Sequence, residues 1–163
     1  MKQKFTDLLL SVILVNFAIL SEIFRGNFMS SDIQLLKSHQ LTVTPQRLEI
    51  VHLLSSHGHL DIDTLYALLQ EKFPSLSLAT VYKNINLMLE KNFMSEVPLE
   101  NRKNVYELIK EVHSHVVCRE CNTIVDIFLD TKALFEEATN ISHFQLETSN
   151  IVFNGICEKC KIA

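Results

Sequence analysis

Glycine and proline are scarce in this chain, which contains three residues of each. Because both residue types dominate turns, their scarcity argues against elaborate loops and favours helices. An excess of positive charge is also missing, since the formal net charge is −4. Composition therefore does not suggest a nucleic-acid-binding protein, and any such activity must come from a local surface. The 163 residues, 47% of them hydrophobic, suffice for one domain of ordinary size or two small ones.

The apolar run from Leu8 to Leu20 has thirteen residues, short of the roughly 20 that span a bilayer as a helix. Lys2 and Lys4 precede it, as in a signal peptide, but no clear small-residue cleavage site follows. Residues 1–28 can therefore be a membrane anchor, a signal peptide or sequence upstream of a mis-assigned start. We favour the mis-assigned start, because Met29 is followed by serines and an aspartate suited to cap a helix. No membrane partner is expected.

No cysteine lies outside two Cys-x-x-Cys pairs, Cys118/Cys121 and Cys157/Cys160. Four cysteines in a secreted protein could form two disulfides. Two such pairs are more typical of a tetrahedral thiolate zinc site in a reducing cytosol, because the two-residue spacer lets both sulfurs of a pair turn toward one ion. The sequence therefore predicts a structural zinc site in a cytoplasmic protein. Zinc bound to both pairs would connect the two ends of the second half of the chain.

Two histidines, His113 and His115, come directly before the first cysteine pair. This order predicts a second metal site of histidines and carboxylates, which can load and unload beside the closed zinc site. Isolated histidines are more often surface or half-buried residues than ligands. No role is therefore assigned to the remaining histidines outside the site discussed below: His39, His52, His57 and His143.

Residues 29–108 have the hydrophobic spacing of short helices, the first around Ile33 to Leu41. Capping and breaking residues mark the others: Thr44-Pro45 and Gly58 for the second, Asp61 or Asp63 and Pro74 for the third, Ser77 and about Asn92 for the fourth. The inward positions of the fourth helix are predicted to be Leu78, Val81, Ile85 and Met88 or Leu89. Its opposite face carries polar groups that can reach phosphates or base edges: Thr80, Tyr82, Lys83, Asn84 and Asn86.

Two alternating segments, Met94 to Pro98 and Lys103 to Leu108, predict a β-hairpin after the fourth helix. Helices followed by such a hairpin form a winged helix, a DNA-binding arrangement. Arg102 and Lys103 at the hairpin tip are suited to contact a phosphate backbone. We therefore expect an α+β protein in which residues 29–108 are a winged helix-turn-helix DNA-binding domain.

Residues 109–163 are expected to form a small α/β dimerisation and metal-binding domain. Short strands are predicted at His115 to Val117 and Ile124 to Phe128, then a helix from Asp130 or Thr131 through Ala138. Phe144 to Leu146 and Ile151 to Phe153 are predicted to form one further strand. Exposed strand edges and so small a core favour a homodimer. The simplest role of four phenylalanines is in the core or the dimer interface: Phe128, Phe135, Phe144 and Phe153.

Four motifs resemble those of one protein family when taken in order and spacing. They are Thr44-Pro45-Gln46-Arg47, the run Ser77 to Asn84, His113-x-His115-x-x-Cys118-x-x-Cys121 and the final Cys157-x-x-Cys160. Over about residues 33–160 the chain resembles the ferric uptake regulator (Fur) family. The resemblance implies a dimeric, metal-dependent bacterial transcription factor that binds double-stranded operator DNA.

The resemblance also implies residue roles. The structural zinc ligands would be Cys118, Cys121, Cys157 and Cys160. The regulatory site for Fe(II) or Mn(II) would comprise His59 in the interdomain linker region, Glu107 on the last hairpin strand, His113, His115 and Asp126. His59 would come from the helical half and the other four from the metal-bearing half. The DNA-binding residues would be Arg47, Ser77, Thr80, Tyr82 and Lys83.

Asp126 is typical of the peroxide-responsive branch of the family, whereas Glu107 is more usual outside it. A second metal site common in iron and zinc regulators lacks its usual ligands at Val112, Ser114 and Ser149. The chain therefore most resembles a repressor of oxidative-stress genes in which peroxide reacts at Fe(II) and oxidises His59 or His113. Mn(II) in the same site would repress without sensing. The alternative is an iron- or zinc-responsive repressor of metal-uptake genes.

Two enzymatic functions fit the sequence less well. A zinc hydrolase needs an open position on its metal, which four cysteines would close. His113 and His115 have no serine or cysteine nucleophile and no evident general base placed beside them. A thiol redox protein using Cys-x-x-Cys would lack the usual βαβ context. The sequence therefore predicts a protein that is not an enzyme.

Overall fold

The structure, a computed structural model, describes residues 31–162. The apolar segment 1–28 and its interpretation lie outside these residues. Within residues 31–162, no helix is both long enough and apolar enough to cross a membrane.

The first half of the chain contains four helices and a three-stranded antiparallel sheet with strand order β1-β3-β2. The elements are α1 (31–38), α2 (Pro45–His57), β1 (Leu60–Asp61), α3 (Ile62–Lys72), α4 (Leu78–Glu90), β2 (Met94–Val97) and β3 (Val105–Leu108). The hairpin of β2 and β3 follows α4, so the predicted winged-helix arrangement is confirmed.

Local capping explains where these helices begin. The hydroxyl of Thr44 accepts a hydrogen bond from the Arg47 amide at 3.3 Å, and that of Ser77 accepts one from Thr80 at 3.2 Å. The Asp61 carboxylate accepts from the amides of residues 63 and 64 at 2.9 and 3.1 Å. Each such cap contributes about 1 kcal/mol. Gly58 ends α2 with φ of 77°, a conformation that favours glycine, and confirms the predicted break.

The core of the protein lies in this first half. Its fully buried side chains include Leu36, Ile50, Leu54, Leu65, Leu69, Ile85 and Met88. The predicted inward positions Val81, Ile85 and Met88 of α4 are confirmed, but Leu78 is 36% exposed. Leu78 is the first residue of α4, and Leu76, just before the helix, occupies the core at that end instead.

A second three-stranded sheet has the order β5-β4-β6. Its elements are β4 (Ser114–Cys118), β5 (Ile124–Ile127), α5 (Lys132–Ser142), β6 (Val152–Gly155) and the short α6 (Glu158–Lys161). The central strand β4 pairs antiparallel with β5 and parallel with β6. The predicted order of two strands, a helix and a strand is confirmed, and with it the α+β class.

Two predicted boundaries in this half were wrong. Helix α5 continues past Ala138 to Ser142, because Thr139 donates its hydroxyl to the Phe135 carbonyl at 2.9 Å and so fits the helix. His143 then ends α5 in the left-handed region with φ of 58°. Phe144 to Leu146 is not a strand. The parallel register pairs Val152 with His115, so extending it back to Phe144 would require a partner at residue 107, which lies in the other sheet.

The second half exposes much of its apolar surface. No residue of α5 is buried. Five large apolar residues on α5 or elsewhere in this half are each at least 47% exposed: Phe128, Leu134, Ile141, Phe144 and Phe153. A surface of this kind marks a contact with another macromolecule rather than the outside of a monomer.

Candidate metal centres

Five histidine and acidic side chains that are scattered through the sequence converge at the junction of the two sheets. His59 follows the glycine that ends α2, and Glu107 lies on β3. His115 on β4 is directly opposite Asp126 on β5 in the antiparallel register, and His113 directly precedes β4. The site thus has two residues from the first half and three from the second.

This division corrects one expectation. Glu107 was expected on the last hairpin strand, and it lies on β3 of that hairpin. It was also expected to come from the metal-bearing half, but β3 pairs with β1 and β2 and therefore belongs to the first sheet. His59 likewise lies in the connection between α2 and β1, within the first half, and not in a linker between the halves.

The ligand-type atoms of this cluster surround a common centre. His59 Nε2 is 3.3 Å from both Glu107 Oε2 and Asp126 Oδ1. His113 Nε2 is 3.0 Å from His115 Nε2 and 3.1 Å from Glu107 Oε2. His115 Nε2 is 3.4 Å from Glu107 Oε1. The Nε2 atoms of His113 and His115 are each 3.7 Å from Asp126 Oδ1.

These separations fit the ligand shell of a divalent metal. An ion about 2.1 Å from each nitrogen or oxygen ligand separates neighbouring ligand atoms by about 3.0–3.4 Å, from octahedral to tetrahedral geometry. His59 Nε2 and Asp126 Oδ1 are buried and have no hydrogen-bond partner. Unpartnered buried polar atoms are costly, so their convergence needs a shared partner. Imidazoles and carboxylates without sulfur suit Fe(II) or Mn(II).

Hydrogen bonds around the cluster orient its members. His113 donates from Nδ1 to the Glu111 carbonyl at 2.7 Å, since a carbonyl can only accept. In the tautomer that this bond favours, the Nε2 lone pair faces the centre, as a metal ligand requires. Ser95 donates its hydroxyl to Glu107 Oε1 at 3.1 Å and fixes that carboxylate from β2.

The electrostatics of the cluster favour the ligand forms of its side chains. Burial raises the pKa of Glu107, but contacts with His59 and Lys110 outweigh it and hold the pKa well below its usual range. The pKa of Asp126 is also lowered, since Lys110 and His59 outweigh its burial. Burial lowers the pKa of His115. At neutral pH the carboxylates are thus ionised and His115 is neutral, the forms that bind a metal.

The four cysteines form a second cluster at the far end of β4. Their sulfurs all lie within 4.8 Å of one another, and Cys121 Sγ is 3.6 Å from Cys157 Sγ. All four are free thiols. Thiolates about 2.3 Å from a tetrahedral zinc ion are about 3.8 Å apart, whereas a disulfide needs about 2.05 Å. The spacing therefore fits zinc and not two disulfides.

Backbone groups help ionise this cluster. Hydrogen bonds from the amides of Cys121 and Cys157 lower the pKa of Cys118 to about 6. The amide of Cys157 is 3.3 Å from Cys118 Sγ. The neighbouring sulfurs raise the pKa of Cys160 to about 12. Thiolate is the form that binds metal, so these amide hydrogen bonds favour the ligand form of Cys118.

The predicted DNA-binding residues lie on and beside α4. Ser77, Thr80, Tyr82 and Lys83 are exposed. Arg47 is half-buried, because it donates from Nε to Asn84 Oδ1 at 2.9 Å and from Nη1 to the Thr42 carbonyl at 2.7 Å. Arg47 thus joins the start of α2 to α4. The hydrogen bond between Arg47 and Asn84 was not predicted, since sequence spacing does not show which polar groups of two helices meet.

The basic residues at the hairpin tip have partners within the protein. Arg102 donates from Nη2 to the Arg119 carbonyl at 2.8 Å, in the turn between Cys118 and Cys121. Lys103 forms an ion pair with Asp63 of α3. The Lys103 side chain stays 62% exposed in this ion pair, so its contact with a phosphate backbone remains a prediction. Arg102 instead ties the hairpin to the cysteine cluster.

Comparison with known proteins assigns the chain to a family. A sequence model of the Ferric uptake regulator family matches residues 38–154. The chain is 28% identical over 135 residues to the peroxide-responsive repressor PerR of Staphylococcus epidermidis, covering 82% of this chain and 90% of the relative. It is 32% identical to the ferric uptake regulation protein of Bacillus subtilis, covering 77% and 89%.

Solved structures give the same assignment. The crystal structure of the Campylobacter jejuni peroxide stress regulator matches with a TM-score of 0.62 and 36% sequence identity, covering 78% of this chain and 98% of that one. The motifs, the two-part fold and the sequence relatives therefore agree, and the chain belongs to the ferric uptake regulator family.

Proposed function

We propose that this protein is a metal-dependent, dimeric transcriptional repressor that senses peroxide through its histidine and carboxylate cluster. The observation that carries the proposal is the convergence of five ligand-type side chains from both halves on one centre. Residues 29–108 would bind operator DNA and residues 109–163 would bind metal and dimerise, in the cytoplasm. No catalytic turnover is required for this function.

The regulatory metal would be held by His59, Glu107, His113, His115 and Asp126. When bound, Fe(II) would supply the electron that reduces peroxide, and the oxidant so formed would oxidise a neighbouring imidazole. Mn(II) would fill the site without that chemistry. We assign the oxidation-sensitive positions to His59 and His113, whose Nε2 atoms face the same oxygen, Glu107 Oε2. An oxidised ring no longer offers a good nitrogen lone pair, so the link between the halves weakens.

The cluster can act as a switch because it joins two parts of the chain that have separate sheets. His59 and Glu107 belong to the half that carries α4, while the other three groups belong to β4, its flank and β5. A filled site favours one relative placement of the halves by its binding free energy. In a dimer, that placement sets the spacing of the two α4 helices along DNA.

A permanent zinc site would support this switch. We assign the zinc ligands to Cys118, Cys121, Cys157 and Cys160, which join β4 to the chain after β6. His115 and Cys118 lie on the same five-residue strand. Zinc would therefore hold the strand that presents the regulatory ligands, and would not itself respond to peroxide.

The exposed apolar face of the second half favours a homodimer. Phe128 is 65% exposed and Phe144 is 71% exposed. Strands β5 and β6 are the edges of their sheet, and unpaired edges invite pairing with another chain. A second copy would cover this face and give the two-fold symmetry that paired operator half-sites need.

Replacing Lys83 by alanine is expected to weaken operator binding without changing metal content. Lys83 is exposed on α4, where it can neutralise a phosphate. The slope of log affinity against log salt concentration should fall by about 0.9 for each phosphate that the protein no longer neutralises. Fluorescence anisotropy over a salt series measures this slope. Lys132→Ala, which removes an exposed lysine from α5, is the matched control and should leave the slope unchanged. An unchanged slope in Lys83→Ala would contradict the assignment.

The sensing proposal is tested with operator duplexes selected from random DNA by the Mn(II)-loaded protein. Micromolar peroxide should release the Fe(II)-loaded protein from this DNA and leave the Mn(II)-loaded protein bound. Mass spectrometry should then find one added oxygen on His59 or His113, in the Fe(II) sample alone. Persistence of the Fe(II)-loaded complex would overturn peroxide sensing.

That result would instead favour an iron- or zinc-responsive repressor of metal-uptake genes. Similarity to the Bacillus subtilis ferric uptake regulation protein, at 32% identity, supports this second candidate. The two candidates share the DNA-binding and metal-binding residues. They differ in whether peroxide or the metal concentration empties the site.

A further inference from the structure

Lys110 lies in the connection between β3 and β4 and places its ammonium against two members of the regulatory cluster. Its Nζ is 3.1 Å from Glu107 Oε2 and 2.5 Å from Asp126 Oδ2. The Glu107 side chain is 4% exposed and that of Asp126 is 27% exposed, so water screens these contacts only partly. The function proposed for the cluster does not use Lys110 beyond its effect on the two carboxylates.

The two carboxylates meet Lys110 in different ways. The two oxygens of Asp126 have different partners, because Oδ1 faces His59 at 3.3 Å and Oδ2 faces the lysine. In Glu107 both oxygens face the cluster, and Oε1 is 3.4 Å from His115 Nε2. Glu107 Oε2 is 3.1 Å from His113 Nε2 and also 3.1 Å from Lys110 Nζ. The ammonium therefore contacts one of the two Glu107 oxygens that a bound metal could use.

The positive charge of Lys110 determines how its contact with Glu107 affects the binding of a divalent cation. Two carboxylates and three neutral imidazoles would present two negative charges to the ion. Lys110 contacts both carboxylates and offsets one of these two negative charges. Within residues 31–162, Lys110 is the one lysine or arginine that forms an ion pair with Glu107 or Asp126. Two like charges a few ångströms apart repel strongly in a partly buried site.

We propose that Lys110 is a resident cation that competes with the divalent metal for Glu107 and so sets the affinity of the regulatory site. The inference rests on the metal-binding function proposed above and deepens it. Lys110 raises the metal concentration at which the site fills, and it keeps the two carboxylates paired when the metal leaves. Removing its charge tightens metal binding.

A purely orienting lysine would have the opposite effect. Its hydrogen bond to Asp126 Oδ2 would hold Oδ1 toward the centre, and loss of the bond would weaken metal binding. The two roles thus predict opposite signs for a variant without the charge. The lysine is 35% exposed and is carried by a connection in which Val112 is 82% exposed, so the ammonium has room to turn toward solvent when a metal binds.

The test is calorimetric titration of Mn(II) into zinc-loaded dimer freed of other metals by a chelator. Lys110→Met keeps the length of the side chain and removes its charge, so Mn(II) should bind about tenfold tighter than to the wild type. Lys110→Arg keeps the charge and should bind within about threefold of the wild type. Lys132→Met, which removes a lysine lining the same cleft without touching either carboxylate, should bind like the wild type.

A second readout is the thermal midpoint with and without Mn(II). The gain in midpoint on adding metal should be larger for Lys110→Met, because a tighter ligand stabilises the folded state more. Zinc content and circular dichroism verify the fold, and Lys110→Gln replaces the methionine variant if that variant does not fold. Equal or weaker Mn(II) binding by the uncharged variant overturns the role of Lys110. Absence of a Mn(II) site in the wild type overturns the proposed function as well.

Discussion

Replacement of Cys118 by serine is expected to release zinc and unfold the second half of the protein. This half has little core of its own, since helix α5 buries no residue and Val117 and Cys118 are its buried apolar side chains. A structural zinc site contributes on the order of 10 kcal/mol, comparable to the whole stability of a typical domain. Loss of one thiolate should therefore remove the dimer and, with it, operator binding.

Zinc analysis, gel filtration and circular dichroism measure this outcome together. Thr123→Val provides a matched control, because Thr123 Oγ1 is 3.2 Å from Cys121 Sγ but is not one of the four clustered sulfurs. That control should keep one zinc per chain and remain dimeric. If Cys118→Ser also keeps one zinc per chain and the wild-type unfolding temperature, the proposed structural role of the cysteine cluster is wrong.

Replacement of His59 by alanine is expected to weaken Mn(II) binding by at least about 100-fold while leaving zinc in place. His59 contributes the one imidazole of the cluster that comes from the first half. Its loss also leaves Glu107 as the remaining group of that half at the centre. Metal bound to the other residues would then restrain the two halves less, so Mn(II) should no longer strengthen operator binding.

The control for this change lies two residues before His59, at the end of α2. His57 contacts the Leu53 carbonyl through Nδ1 at 2.9 Å and is not part of the cluster. His57→Ala should bind Mn(II) and operator DNA as the wild type does. Wild-type Mn(II) affinity in His59→Ala, measured by calorimetry, would exclude His59 from the site.

Much of the first half could be predicted because its signals are local. Thr44, Asp61 and Ser77 each accept a hydrogen bond from an amide two or three residues ahead, so the helix starts depend on neighbours in the sequence. The inward stripe of α4 at Val81, Ile85 and Met88 follows from helical periodicity alone. Leu78 deviates because position along the helix, and not only its face, determines whether the core reaches it.

The second half was harder to predict because its bounds depend on pairing partners. Phe144 to Leu146 has the composition of a strand, but it pairs with no strand of the described residues 31–162. The end of α5 likewise depends on a hydrogen bond of Thr139 within the helix and on the left-handed conformation of His143. Neither can be read from hydrophobic alternation.

The candidate sites show the same division. Spacing alone predicted the cysteine cluster and paired His113 with His115, since their ligands are neighbours along the chain. His59, Glu107 and Asp126 were expected only through the family resemblance, because each by itself is an ordinary histidine or acidic residue. Lys110 was missed, although it lies three residues after Glu107, because an i, i+3 pair in a short connection has no regular geometry.

The order of residues along the chain is enough to define the helix starts, the inward face of α4, the two cysteine pairs and the chemical type of each metal site. Those features depend on local hydrogen bonding, periodicity and ligand chemistry. Three others follow from the folded arrangement: Glu107 on the first sheet lies beside His59, Arg102 contacts the cysteine turn, and Lys110 contacts an oxygen that also faces the regulatory centre. Each of these depends on sheet register and side-chain packing between strands and loops, which no local pattern encodes.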